Sequence, residues 1–222
     1  MRKVALVFCL IIFLISAWNA SAKVLELQVS SKNLNVGDVI TVYGKANPNE
    51  EVKINVLFEK TLSVKNGIFA FSASSIKVPE GECKVNLVIY NSSDVKISAR
   101  KQIFGFLYTP WIDLKLTPFN GFASISKSIS SGVYDFKVEG KSNSNSVKIK
   151  IIASGYVKAN SEGEFNYSYD TSSIPSGKFI ISAGEKAELI TLTSKKEKTN
   201  DDLLKKIMNS IFKFFGSKAL LG

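Results

Sequence analysis

Histidine is absent from the 222 residues, and its absence removes most hydrolytic designs at once. No Ser-His-Asp or Cys-His arrangement can be assembled, and no zinc site can draw on imidazole. Cysteine is nearly absent too, with only Cys9 and Cys83, which excludes thiolate metal clusters and redox pairs. No glycine-rich phosphate loop and no Asp-x-Asn-x-Asn-Gly calcium loop occurs, so no cofactor is implied. Helical hydrophobic periodicity is missing until about residue 200. The carboxylates Asp113, Asp135, Glu139, Glu162, Glu164 and Asp170 form no recognisable acid/base pair, although glycosidase chemistry needs two at a defined separation.

The chain opens with Arg2 and Lys3, an apolar run from Val4 to Trp18, and Asn19-Ala20-Ser21-Ala22. This is the layout of a secretory signal peptide, residues 1–22, with cleavage expected after Ala22. Cys9 lies inside the apolar run and not behind a small residue at its end, which disfavours lipid modification. Loss of the leader leaves 27 basic against 19 acidic residues, a net charge of +8, and Cys83 as the sole thiol. No internal disulfide can then form, despite a route that would allow one. The expected location is extracytoplasmic, at the cell surface. Dispersed lysines on an exported chain argue against nucleic acid as the partner.

The body is made of short alternating runs rich in Val, Ile, Phe and Tyr, such as 39–43, 52–58, 68–71 and 84–90, punctuated by Gly, Asn, Ser and Pro. That is the pattern of half-buried strands and turns. The runs repeat. At an offset of 96, Val42-Tyr43-Gly44-Lys45 matches Val138-Glu139-Gly140-Lys141, Gly67 matches Gly163, Phe69 matches Phe165, and Phe71 matches Tyr167. Pro79 and Gly81 match Pro175 and Gly177, while Val52-Lys53-Ile54 matches Val147-Lys148-Ile149 one residue out of step. The reading is an all-β duplication: two tandem immunoglobulin-like sandwiches over 23–106 and 112–194, joined by an apolar junction at 106–111.

Here the chain resembles the immunoglobulin-like modules repeated in archaeal and bacterial cell-surface proteins. The resemblance is carried by Gly67-x-Phe69-x-Phe71, by Gly163-x-Phe165-x-Tyr167 and by the Pro-x-Gly turns. It implies a surface role and names no ligand. No Cys-Trp-Cys signature of antibody domains is present.

Several residues invite a functional reading. Cys83 is the only thiol of the body, but Cys83, Val85, Leu87 and Ile89 alternate onto one face, as core residues do. Tyr108 and Trp111, with Phe119 and Phe122 nearby in sequence, could stack on sugar rings, although junction filling is the plainer use of such residues. Asn91-Ser92-Ser93 and Asn166-Tyr167-Ser168 fit the N-glycosylation pattern, with Asn91 the better placed.

The tail is distinct. A lysine-rich break over 194–199 leads to Asn200-Asp201-Asp202, a helix cap with an acidic first turn. Leu203, Leu204, Ile207, Met208, Ile211, Phe212, Phe214 and Phe215 then fall in one half of a helical wheel, and Lys205, Lys206 and Lys213 in the other. Residues 195–222 thus read as a basic tether and amphipathic helix. It could dock on the β body, bind an envelope protein partner or lie in a membrane interface, and the bulky apolar face opposite lysines suits an anionic surface. The reading as a whole is an exported, non-enzymatic surface protein with a structural or adhesive role, membrane-associated through this helix. The alternative is a carbohydrate-binding module that uses the junction aromatics.

Overall fold

A computed structural model describes residues 23–194; the expected signal peptide and the amphipathic tail, with all its contact residues from Leu203 to Phe215, lie outside them. The described chain is all β apart from one short 3-10 turn at Thr171–Ser173. Its strands are β1 (Val24–Val29), β2 (Asn33–Asn35), β3 (Val39–Ala46), β4 (Glu51–Ser63), β5 (Ile68–Val78), β6 (Cys83–Tyr90), β7 (Asp94–Ile103) and β8 (Leu107–Tyr108). The second half supplies β9 (Ile112–Leu116), β10 (Phe122–Ile129), β11 (Gly132–Lys141), β12 (Ser146–Lys158), β13 (Glu164–Asp170), β14 (Gly177–Ala183) and β15 (Lys186–Thr193).

These strands form three sheets. The largest has the order β10-β6-β12-β4-β14-β15-β2, a second is β5-β11-β7 with β8 and β9 both along the far side of β7, and the third is β1-β3-β13. The buried apolar residues of β4, namely Val52, Ile54, Phe58 and Leu62, are all even-numbered. Side chains of a strand alternate between faces, so they share one face, and a single core joins that face to buried residues of both smaller sheets. Phe58 of β4 meets Phe71 of β5 with ring centroids 6.1 Å apart, and Phe71 meets Phe136 of β11 at 5.7 Å. The fold is a β-sandwich.

The two halves do not keep to themselves. Tandem sandwiches were the expectation; instead β4 pairs with β12 along its whole length, from Glu51↔Lys158 to Ser63↔Ser146. Leu57 and its repeat equivalent Ile152 face one another in this pairing, which puts a local two-fold axis through that point. The same symmetry governs the smaller sheets: β13 pairs β3 with Phe165 opposite Gly44, and β5 pairs β11 with Phe69 opposite Gly140. Each half lends a strand to the sheet of the other.

Gly44 and Gly140 show why the register holds. A Cβ on Gly44 would sit 2.0 Å from the Glu26 carbonyl oxygen and 2.8 Å from the Phe165 ring. On Gly140 it would sit 2.0 Å from the Asp94 carbonyl and 2.7 Å from the Phe69 ring. Only glycine lets each phenylalanine close over the opposing strand. The physical reason for the departure from tandem sandwiches is general. Alternation and turn residues specify strands and faces, but they do not specify which strand pairs with which.

Symmetry fails at the edges. After β14 the chain turns back, and β15 pairs with β14. After β6 it crosses to the other layer at Asn91-Ser92-Ser93, and β7 pairs with β11. The segment 106–111, read as a junction between modules, forms β8 and the approach to β9 along the free side of β7.

Candidate functional site

The outer face of the β1-β3-β13 sheet is built from residues of one parity. Register puts Glu26, Lys45 and Glu164 in one row and Gln28, Tyr43 and Asn166 in the next. A third row closes with Thr41 and Ser168, whose hydroxyls lie 2.9 Å apart, while the Ser30 hydroxyl accepts from the Thr41 amide at 3.0 Å. On the opposite parity Ile40, Val42 and Phe165 are buried, so the face is backed by the core. Tyr43 is 39% exposed at the centre of this face. The first two rows, with Gly44, Asn160 and Phe165, line an open groove of about 370 Å³. Asn160 is itself held, since its side-chain oxygen accepts from the amides of Glu162 and Glu164 at 2.9 and 2.8 Å.

A ring with a polar handle, amides on either side and charges one row away can pack an apolar surface while offering donors and acceptors at its rim. Such a face suits a flat ligand dense in hydroxyl groups. Glu26 and Glu164 are exposed.

The corresponding face of the five-stranded sheet is organised differently. Arg100 of β7 lies opposite Asp135 of β11. Its Nη2 and Nε both reach Asp135 Oδ2, at 2.7 and 2.8 Å, while Oδ1 accepts from the Ser75 amide at 2.8 Å. Asp135 is only 4% exposed. The guanidinium stands over the Tyr108 ring at 4.2 Å and the Trp111 ring at 4.7 Å from their centroids, and Lys137 Nζ stands over Trp111 at 4.5 Å. Both aromatic residues are half-buried. At the rim, hydrogen bonds from Ser98 and Lys96 hold the Asp113 carboxyl below its usual pKa.

The structure thus places the expected site residues as follows. Tyr108 and Trp111 do come together, but around Arg100, with cations over their rings where a sugar platform would need bare faces. Phe119 and Phe122 sit at another turn, where Phe122 meets Tyr90 edge-on at 5.6 Å. Asn91 is exposed at the crossing between layers, and its carbonyl accepts from the Ser142 hydroxyl. Asn166 is exposed inside the Tyr43 groove, so a glycan attached there would fill it. Cys83 is buried, and burial pushes its thiol pKa up. Among the described residues no group of three or more His, Cys, Asp or Glu is placed to hold a metal.

Tyr43 itself was passed over in the sequence. A signal was there: the repeat aligns Tyr43 with Glu139, so an aromatic stands at an outward position where its twin is charged.

No protein-family model matches the chain, and no curated protein matches it. Among solved structures it is similar to the enzymatically active domain of tailspike protein 4 of bacteriophage CBA120, at 10% identity over 55% of this chain and 20% of that one, with a TM-score of 0.33. It is also similar to the C-terminal CBM6 of LamC, a marine laminarinase from Zobellia galactanivorans, at 16% identity over 60% and 92%, TM-score 0.25. A third is the carbohydrate-binding module from Cellvibrio mixtus lichenase 5A in complex with cellotriose, at 11% identity over 61% and 89%, TM-score 0.20. The chain spans a fifth of the tailspike domain and about nine-tenths of the two modules.

Proposed function

We propose that this protein is a non-enzymatic glycan-binding β-sandwich acting outside the cytoplasm, and that its binding face is the outer surface of β1-β3-β13. One observation carries the reading. Tyr43 is exposed between the side chains of Gln28 and Asn166, with Glu26, Lys45 and Glu164 in the adjacent row of the same groove. The ring supplies a stacking surface and the row supplies hydrogen bonds to hydroxyl groups. Two of the similar structures are carbohydrate-binding modules, and the reading stands on Tyr43 and its neighbours independently of them.

Export and a position at the membrane belong to the same proposal. The signal-type N-terminus and the amphipathic segment after Asn200 support them, and a glycan-binding body on such a tail is an adhesive design.

A glycan array probed with the full-length protein tests the reading, with Tyr43→Ala and Trp111→Ala alongside. Retention of a defined glycan set, lost in Tyr43→Ala and kept in Trp111→Ala, is the expected result. Loss in Trp111→Ala alone moves the site to the junction aromatics. Failure of the wild-type chain to retain any glycan ends the proposal.

A further inference from the structure

Six non-glycine residues of the described chain have positive φ: Asn49, Asn66, Ser75, Asn91, Phe104 and Asn120. Asparagine tolerates this left-handed region because its short side chain bonds locally, whereas a bulky residue there is an outlier. Ser75 is held by the bond from its amide to Asp135. Phe104 has no such explanation. The chain even shows what belongs at such a position: Asn66-Gly67 has φ values of 53° and 76°, Asn120-Gly121 has 49° and 79°, and Phe104-Gly105 has 51° and 77°. The same pair of φ values occurs twice with Asn-Gly, in two-residue turns, and once with Phe-Gly, in a three-residue one.

Burial does not explain Phe104 either. It is 82% exposed and Phe106 is 73% exposed, at the tip of the hairpin between β7 and β8, with Ile103 and Leu107 partly exposed behind them. A large apolar residue that is both strained and uncovered points to a role outside the folded chain.

What lies behind the tip identifies the medium. The Gln102↔Tyr108 pair is one step back. Arg100 and Trp111 follow, roughly 10 Å behind at the rise of a strand. Tyr and Trp rings with cations, set behind a cap of Phe and aliphatic side chains, are arranged as at a bilayer interface, where apolar groups sink about 5–10 Å. No acidic residue occurs from Arg100 to Ile112, and among the described residues neither Lys101 nor Lys137 is in an ion pair. We infer that the Ile103–Leu107 hairpin tip inserts into an anionic lipid bilayer and seats the β body on it, as a contact separate from the C-terminal helix and from the Tyr43 groove.

The test uses full-length protein with vesicles of phosphatidylcholine and phosphatidylglycerol, 3:1 as a working mixture of roughly one-quarter anionic lipid. An environment-sensitive fluorophore on Phe106→Cys in a Cys9→Ser background reads the tip alone, because Cys83 is buried. Its emission should shift to the blue on these vesicles and be quenched by brominated acyl chains. Emission that stays unchanged with vesicles overturns the inference, whether or not the tail binds them, and leaves a protein pocket as the occupant. Phe104→Asn restores the turn residue that the chain uses elsewhere, so it should melt at or above the wild-type temperature. Combined with Phe106→Ser it should weaken vesicle partitioning of the body by about tenfold or more. Unchanged partitioning with a fold that remains intact also overturns the inference.

Discussion

The outer faces of β3 and β11 began as the same surface and have become opposites. The repeat aligns Val39, Thr41 and Tyr43 with Asp135, Lys137 and Glu139. On β3 the aromatic stands on the strand itself, flanked by amides, and the face stays open. On β11 the face carries charge, and Tyr108 and Trp111 arrive from the added segment along β7 to close over Arg100 and Asp135. A repeated frame can hold its core constant while one outer face is consolidated and the other left open. The difference is affordable because outward positions do not touch the Gly44–Phe165 and Gly140–Phe69 locks that set the register.

The sharpest way to break this comparison is through those locks. Phe69 and Phe165 are both nearly fully buried, and truncating a buried phenylalanine costs about 3–5 kcal/mol. Phe69→Ala and Phe165→Ala should therefore destabilise by similar amounts in urea unfolding. A gap between them above about 2 kcal/mol, half of that range's midpoint, would mean that the two-fold pairing is not energetically symmetric.

Next in size is the contrast between the faces. Arg100→Ala strands the Asp135 carboxylate in the interior, a loss of about 3 kcal/mol, towards the lower end because the arginine is itself partly exposed. Tyr43→Ala should cost about 0.5 kcal/mol or less, as exposed substitutions do. Equal losses would erase the distinction between a structural face and a binding face.

Cys83 tests whether β6, one strand in from the β10 edge, is as closed as the core. Burial raises its thiol pKa, which lowers the thiolate fraction that reacts. In the native protein an aromatic disulfide reagent should titrate Cys83 far more slowly than in denaturant. Equal rates would show that β6 opens readily.

The smallest effect concerns Asp170, which joins β13 to β5 through a 2.7 Å contact with Lys77. The hydrogen bond from Lys77, aided by those from Ser172, lowers its pKa from 3.8 to about 2. A depressed carboxyl contributes stability that is present above its unfolded pKa and lost as pH falls through the folded one. Between about pH 4 and pH 2, wild type should therefore lose stability relative to Asp170→Asn. Parallel curves would remove this contact from the forces that hold the two smaller sheets together.

Much of this was legible in the residues. Alternation placed Val42, Phe69, Leu87, Ile89 and Cys83 on buried faces, and Gly67 and Gly163 in turns with positive φ, at 76° and 80°. What could not be read was pairing. Nothing local tells β13 to leave its own half for β3, since any strand of suitable length and parity offers the same hydrogen bonds. The aromatic cluster at Tyr108 and Trp111 was legible as a cluster, but not as one wrapped around Arg100, because Arg100 comes from a neighbouring strand.

By itself, then, the sequence determined the all-β class, the repeated pattern and the buried parity of its strands. These follow from side-chain alternation and turn chemistry, which act over a few residues. Only the tertiary structure decided that the halves exchange strands, that Trp111 is occupied while Tyr43 is open, and that Phe104 projects uncovered from a turn built for asparagine. Those are consequences of which strand lies beside which, a choice made by packing across the whole chain.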